Sequence, residues 1–103
     1  MAKKSTQSAS GTSFHGDTVR ASVNDFIKMF GDPIYEDNTG SDKVNFEWVC
    51  ETESGDVFTI YDWKEYRRLD QEEIIEWHIG GHNGSVTSQA LNEIASMFDE
   101  IDS

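Results

Sequence analysis

The sequence predicts an α+β domain. An antiparallel three-stranded meander, four-stranded if a short leading strand is counted, carries two helices packed on one face, in the order (β)αβββα. Three observations predict this. Residues 22–33 and 86–101 repeat apolar side chains at helical spacing. Three stretches between them, 43–51, 57–66 and 74–80, are strand-like, rich in β-branched and aromatic residues. The loops joining those stretches are short, polar or Gly-bearing, as hairpin connections are.

The 103 residues set one domain as the expectation. Residues 1–13, "MAKKSTQSASGTS", are rich in Ser, Thr, Gly and Lys and hold no large apolar side chain, so they read as a flexible polar tail before a single domain at 14–103. Phe14 is the first candidate anchor. Asp17–Ala21 ("DTVRA") reads as the short leading strand. Ser22 suits a helix N-cap, with Asp25 at the capping-box spacing. Val23, Phe26, Ile27 and Phe30 form one stripe, and Gly31 and Pro33 end the helix. A polar acidic loop, 35–42, follows.

In 43–51, Val44, Phe46, Trp48 and Cys50 alternate with Asn45, Glu47 and Glu51. Gly55 suits the left-handed position of a hairpin loop. The strand 57–66 has Phe58 and Ile60 on one face and Val57, Thr59, Tyr61 and Trp63 on the other, so both faces are expected to meet something apolar. In "IIEWHIGGHNGS", Ile75, Trp77 and Ile79 share a face opposite Ile74, Glu76 and His78, and Gly80 and Gly81 are expected to let the chain turn. The last helix carries Leu91, Ile94, Ala95, Phe98 and Ile101 or Asp102 along its stripe.

Charge is the strongest global signal: 20 acids against 8 Lys and Arg, a formal −12. That field repels nucleic acid and anionic membrane and attracts basic protein surfaces. The single cysteine, Cys50, rules out an internal disulfide and fits a reducing, cytoplasmic setting. No apolar run approaches a membrane span, and no secretory h-region opens the chain.

Candidate chemistry is sparse. His78 and His82 are four apart, the zinc spacing of a helix, but Ile79-Gly80-Gly81 between them is poor helix, and zinc needs three or four protein ligands. No metal site is expected. Asp62 and His78 make an acid–base pair only if their strands adjoin, and with His82 they form a candidate polar site. The chain shows no nucleophile motif and no cofactor motif, so a non-enzymatic protein without a cofactor is expected.

Trp48, Tyr61, Trp63, Tyr66 and Trp77 lie on three successive strands, where they serve either the core or an interface. The interface reading is strongest for Tyr61 and Trp63, because Phe58 and Ile60 already fill the opposite face. The acids gather in loops and on exposed helix faces: Glu36, Asp37 and Asp42; Glu51, Glu53 and Asp56; Asp70, Glu72 and Glu73. They read either as solvation or as an array standing in for DNA phosphates, which needs several acids at close, fixed spacing.

At "VFTIYDWKEYR" and "EWHIGGH" the chain resembles a type of small acidic protein encoded by bacteriophages. In that type a helix ending Gly-x-Pro, here Gly31-Asp32-Pro33, precedes a hairpin with "YDWK" and a strand ending "WHIGG". The resemblance spans about Phe14 to Phe98. It implies a phage setting, hence a host-directed inhibitor or a virion part, and it brings no defined activity and no catalytic residue. Charge and size are also similar to phage proteins that occupy the basic clefts of host DNA-binding machines.

Three functions are expected in descending order. The first is an acidic binding protein in the host cytoplasm that occupies a basic host surface, in one form as a DNA mimic, with the acids above steering it and Tyr61 and Trp63 anchoring it. The second is an assembly protein in which Tyr61 and Trp63 meet another copy in a homo-oligomer. The third is a small-ligand binder or enzyme using Asp62, His78 and His82. Neither nucleic acid nor membrane is an expected direct partner.

Overall fold

The computed structural model describes residues 1–101. Among them the order is β1 (Lys3–Lys4), β2 (Ser13–Ala21), α1 (Val23–Phe30), β3 (Tyr35–Glu36), β4 (Phe46–Glu51), β5 (Val57–Tyr61), β6 (Ile75–Gly81) and α2 (Gly84–Ile101). The sheet has six strands, ordered β1-β4-β5-β6-β2, and every pairing is antiparallel. β3 and β1 share the outer edge of β4, β3 at Phe46 and Glu47 and β1 at Cys50 and Glu51.

The expected α+β class holds. β4, β5 and β6 are the expected meander, and β2 is the leading strand, longer than 17–21. The two extra strands are two residues each, too short to leave a period in sequence.

Both helices cover one face. Phe46, Trp48, Cys50, Phe58, Ile60, Ile75, Trp77 and Ile79 project there and meet Val23, Phe26 and Phe30 of α1 and Val86, Ala90, Ile94 and Met97 of α2. At the centre Phe26 packs against Trp48 and Trp77, each with ring centroids 5.3 Å away. Buried indoles need acceptors. The Trp48 Nε1–H donates to the Gly31 carbonyl (2.9 Å) and the Trp77 Nε1–H to the Ala21 carbonyl (2.8 Å), so each bond pins one end of α1 to the sheet. The Ser22–Asp25 capping box forms as the sequence predicts.

Three local expectations differ. Gly80 and Gly81 do not turn. They complete β6, pairing with Thr59 and Phe58, and the turn falls at His82 and Asn83. Glycine is needed there for closeness: a Cβ on Gly81 would lie 2.8 Å from Thr87 Cγ2, and one on Gly80 would overlap Thr59 Oγ1. The buried line of α2 is Val86, Thr87, Ala90, Ile94 and Met97, rotated from the expected stripe, because Thr87 is drawn in by donating its hydroxyl to Asp17 (2.6 Å). Ala95 is exposed and Asp102 lies outside the described residues. β5 stops at Tyr61 rather than Tyr66, and Lys64 and Tyr66 adopt positive φ.

The segment expected as a tail also lies against the sheet. Ala2 is small enough to bury in the core, the Ser5 N–H donates to the Val49 carbonyl (2.9 Å), and the Lys4 ammonium donates to the Asp32 carbonyl (2.7 Å). The chain then crosses from the β1 edge to the β2 edge at the β4–β5 hairpin end. There Gln7 Nε2 donates to the Gly55 carbonyl, and Gly11 sits beside the His82 ring.

Candidate functional site

The face turned away from the helices is the candidate site. Directly opposed residues on antiparallel strands point to the same side. Strand pairing therefore lays one row across this face: Tyr35, Glu47, Tyr61, His78 and Thr18. A second row holds Val49, Thr59, Gly80 and Phe14. Val49, Val57 and Thr59 are buried although they are not part of the helix-side core, and they lie towards the end where the N-terminal segment crosses. The other half of the face is open.

That open half is aromatic. The Phe14 ring stacks on His78 (centroids 4.0 Å, planes 18° apart), and Trp63 stacks on the same imidazole (6.2 Å, 28°). Tyr61 meets both Trp63 and His78 edge-on. The Lys43 and Lys64 ammoniums lie 5.8 and 5.5 Å from the Trp63 ring, within cation–π range. Phe14 (42 %), Tyr35 (41 %) and Trp63 (40 %) are exposed, far more than large aromatics in a packed core. β2 reaches this position through an irregular register between Phe14 and Thr18, with Gly16 at φ 99°.

Of the five strand-borne aromatics in the sequence reading, Trp48 and Trp77 are core, whereas Tyr61, Trp63 and Tyr66 are partly or fully exposed. Phe14, Tyr35, Lys43, Lys64 and Glu47 were not anticipated as site residues. Tyr35 and Glu47 become neighbours only through the two-residue β3. Phe14 reaches His78 only through the long-range β2–β6 pairing.

Electrostatics follow from burial. Half-burial on this face pushes the Glu47 carboxyl above the ordinary carboxylate range. Burial also raises the Tyr61 phenol, with the nearby Glu47 charge adding to it. His78 is pushed down by burial among the rings, partly offset by Glu76.

Asp62, His78 and His82 do not converge. Tyr61, not Asp62, is the cross-strand partner of His78. Asp62 is buried, and its carboxylate accepts from the Asn45 N–H (2.8 and 3.1 Å) and the Phe46 N–H (2.8 Å), which fastens the start of β4. Its pKa is raised because burial outweighs those backbone bonds. His82 is exposed beyond the end of β6. Among the described residues no group of three His, Cys, Asp or Glu is placed to hold a metal ion, and no helix is long and apolar enough to cross a membrane.

The acids lie at the two ends of the sheet. Glu51, Glu53 and Asp56 stand at the β4–β5 hairpin, with Glu93 of α2, whose carboxylate accepts from the Glu53 N–H (2.9 Å). Glu36, Asp37, Asp42, Asp70, Glu72 and Glu73 belong to the opposite end, where the 37–45 and 62–74 loops are tied by Asn38 to the Leu69 backbone and by Asn45 to the Arg67 carbonyl. Some of these acids already have work within the fold. Glu73 holds Arg67 through two bonds (2.6 and 2.9 Å), which keeps its pKa low, and Asp70 accepts from the Glu72 N–H. No family model, curated protein or solved structure matches the chain.

Proposed function

We propose that this chain is a non-enzymatic binding protein that docks a basic protein surface onto the open face of its sheet. The single observation that supports this reading is the Phe14–His78–Trp63–Tyr61 cluster, with Phe14 and Trp63 exposed, on a face that neither helix covers. Aromatic centres with polar surrounds are the usual anatomy of interfaces, and a few buried aromatics carry most of the energy. The acids at both ends of the sheet supply a negative rim. Within a molecule of charge −12, that rim steers a basic partner toward the aromatic centre and repels nucleic acid. In the phage setting suggested by the sequence resemblance, the partner is a host protein in the cytoplasm, including nucleic-acid-binding proteins whose clefts are basic.

The test is capture from host lysate on immobilised chain, at low salt and at about 0.5 M salt, where surface charges are screened. The wild type is compared with a Tyr61→Ala/Trp63→Ala double variant. The expected result is a basic protein retained at low salt, released at high salt and lost with the double variant. Retention that ignores both salt and the variant overturns the reading. A wild-type mass that grows with concentration and becomes monomeric in the double variant assigns the face to self-assembly instead.

A further inference from the structure

On the open face, strand acids are matched across the sheet by bases, with one exception. Glu51 stands opposite Lys3, and Glu76 opposite Arg20, neither pair at ion-pair distance, so the match is one of register. Opposite charges directly across a pair stabilise a sheet, and a lone charge forgoes that gain. Glu47 has Tyr35 on one side and Tyr61 on the other. It is half-buried, and among the described residues its carboxylate shows no hydrogen bond and no ion pair. Burying a carboxylate without a partner costs free energy, and its raised pKa reflects that cost. A fold that needed only packing at this position would be served by a neutral residue.

We propose that Glu47, flanked by Tyr35 and Tyr61, is the seat for an arginine side chain presented by the partner. A planar guanidinium pairs with a carboxylate through two parallel N–H donations and is attracted to aromatic faces, so both features of the site select it. Lysine offers a point charge without the fork and fits less well. The Lys43 and Lys64 ammoniums occupy the neighbouring Trp63 ring, which leaves the Glu47 row as the part of the patch open to a new cation.

The inference rests on the open face being the contact surface, and a probe that needs no native partner separates the two. The full-length ¹⁵N-labelled chain is titrated at low salt with acetyl-Gly-Arg-Gly-amide and with its lysine and citrulline counterparts. Saturable shifts centred on residues 35, 47 and 61 are expected, strongest for arginine and absent for citrulline. Glu47→Gln should weaken arginine binding about tenfold, as loss of a charge-assisted pair does, while its urea midpoint stays level or rises. Tyr61→Phe, which keeps the ring, should stay within about twofold of wild type.

Shifts spread equally over Glu53, Asp56 and Glu72, or a Glu47→Gln chain that binds as well as wild type, overturn the seat. So does a lowered urea midpoint in Glu47→Gln, which would make the carboxylate a structural group. If the peptide result holds while lysate capture ignores Tyr61 and Trp63, the seat stands and the wider docking reading falls.

Discussion

Asp62 is a buried carboxylate whose partners are backbone amides, and that sets how it responds to pH. Its pKa is raised, so the folded state holds the proton more tightly than the unfolded chain. Its contribution is therefore fully present below the ordinary carboxylate range and is lost as pH rises through the raised value. Against Asp62→Asn, which cannot titrate, the wild type should gain relative stability as pH falls from about 7 to about 4, read by urea unfolding at each pH. Cys50 makes a second residue-scale prediction. The thiol is fully buried, and burial pushes it up to about 12. Thiolate is the reactive form, so a disulfide reagent should leave the native chain unlabelled and react at once in denaturant. Both residues are plain in the sequence, but only one of the two roles is. Cys50 is predictable from the alternation of 43–51. Asp62 as the clasp at the start of β4 is not, because the N–H groups that donate to it lie 16 and 17 residues away.

At the scale of elements, α1 was the most legible because all its signals are local. Ser22, Asp25, the apolar stripe and Gly31 each act within a few residues. Ser22→Ala removes one half of the capping box and should cost about 1 kcal/mol in urea unfolding. The three meander strands were legible from alternation and hairpin loops. At Gly80–Gly81 and along α2, tertiary contacts outrank local preference. Gly80 and Gly81 look like a turn in isolation, yet they sit in β6 because Thr59 on one side and Thr87 on the other leave no room for a Cβ. α2 is rotated from its sequence stripe by the Thr87–Asp17 bond, which joins residues 70 apart. β1 and β3 are invisible because two residues carry no period. The candidate surface was half legible: Tyr61 and Trp63 follow from alternation, whereas Phe14, Tyr35 and Glu47 join them only through strand pairing.

The whole molecule carries a charge of −12 on 103 residues, and compaction brings those charges together. Self-repulsion of this kind is relieved by salt. The urea midpoint should rise as sodium chloride increases from about 0.02 to about 0.5 M, whereas partner binding should weaken over the same range. Opposite salt slopes for stability and affinity would show that the same acids oppose the fold and steer the encounter.

The N-terminal crossing has a consequence for how the chain folds. Lys3 pairs with Glu51, and Ser13 pairs with Gly81. Both outer strands, β1 and β2, are therefore paired with segments far along the chain, β4 and β6. β1 cannot pair until β4 has formed, nor β2 until β6 has. Closing such large loops before contacts reward them is slow. Refolding should thus fall in the millisecond-to-second range typical of sheets with distant pairings, with the meander formed first and the N-terminal strands zipped on last.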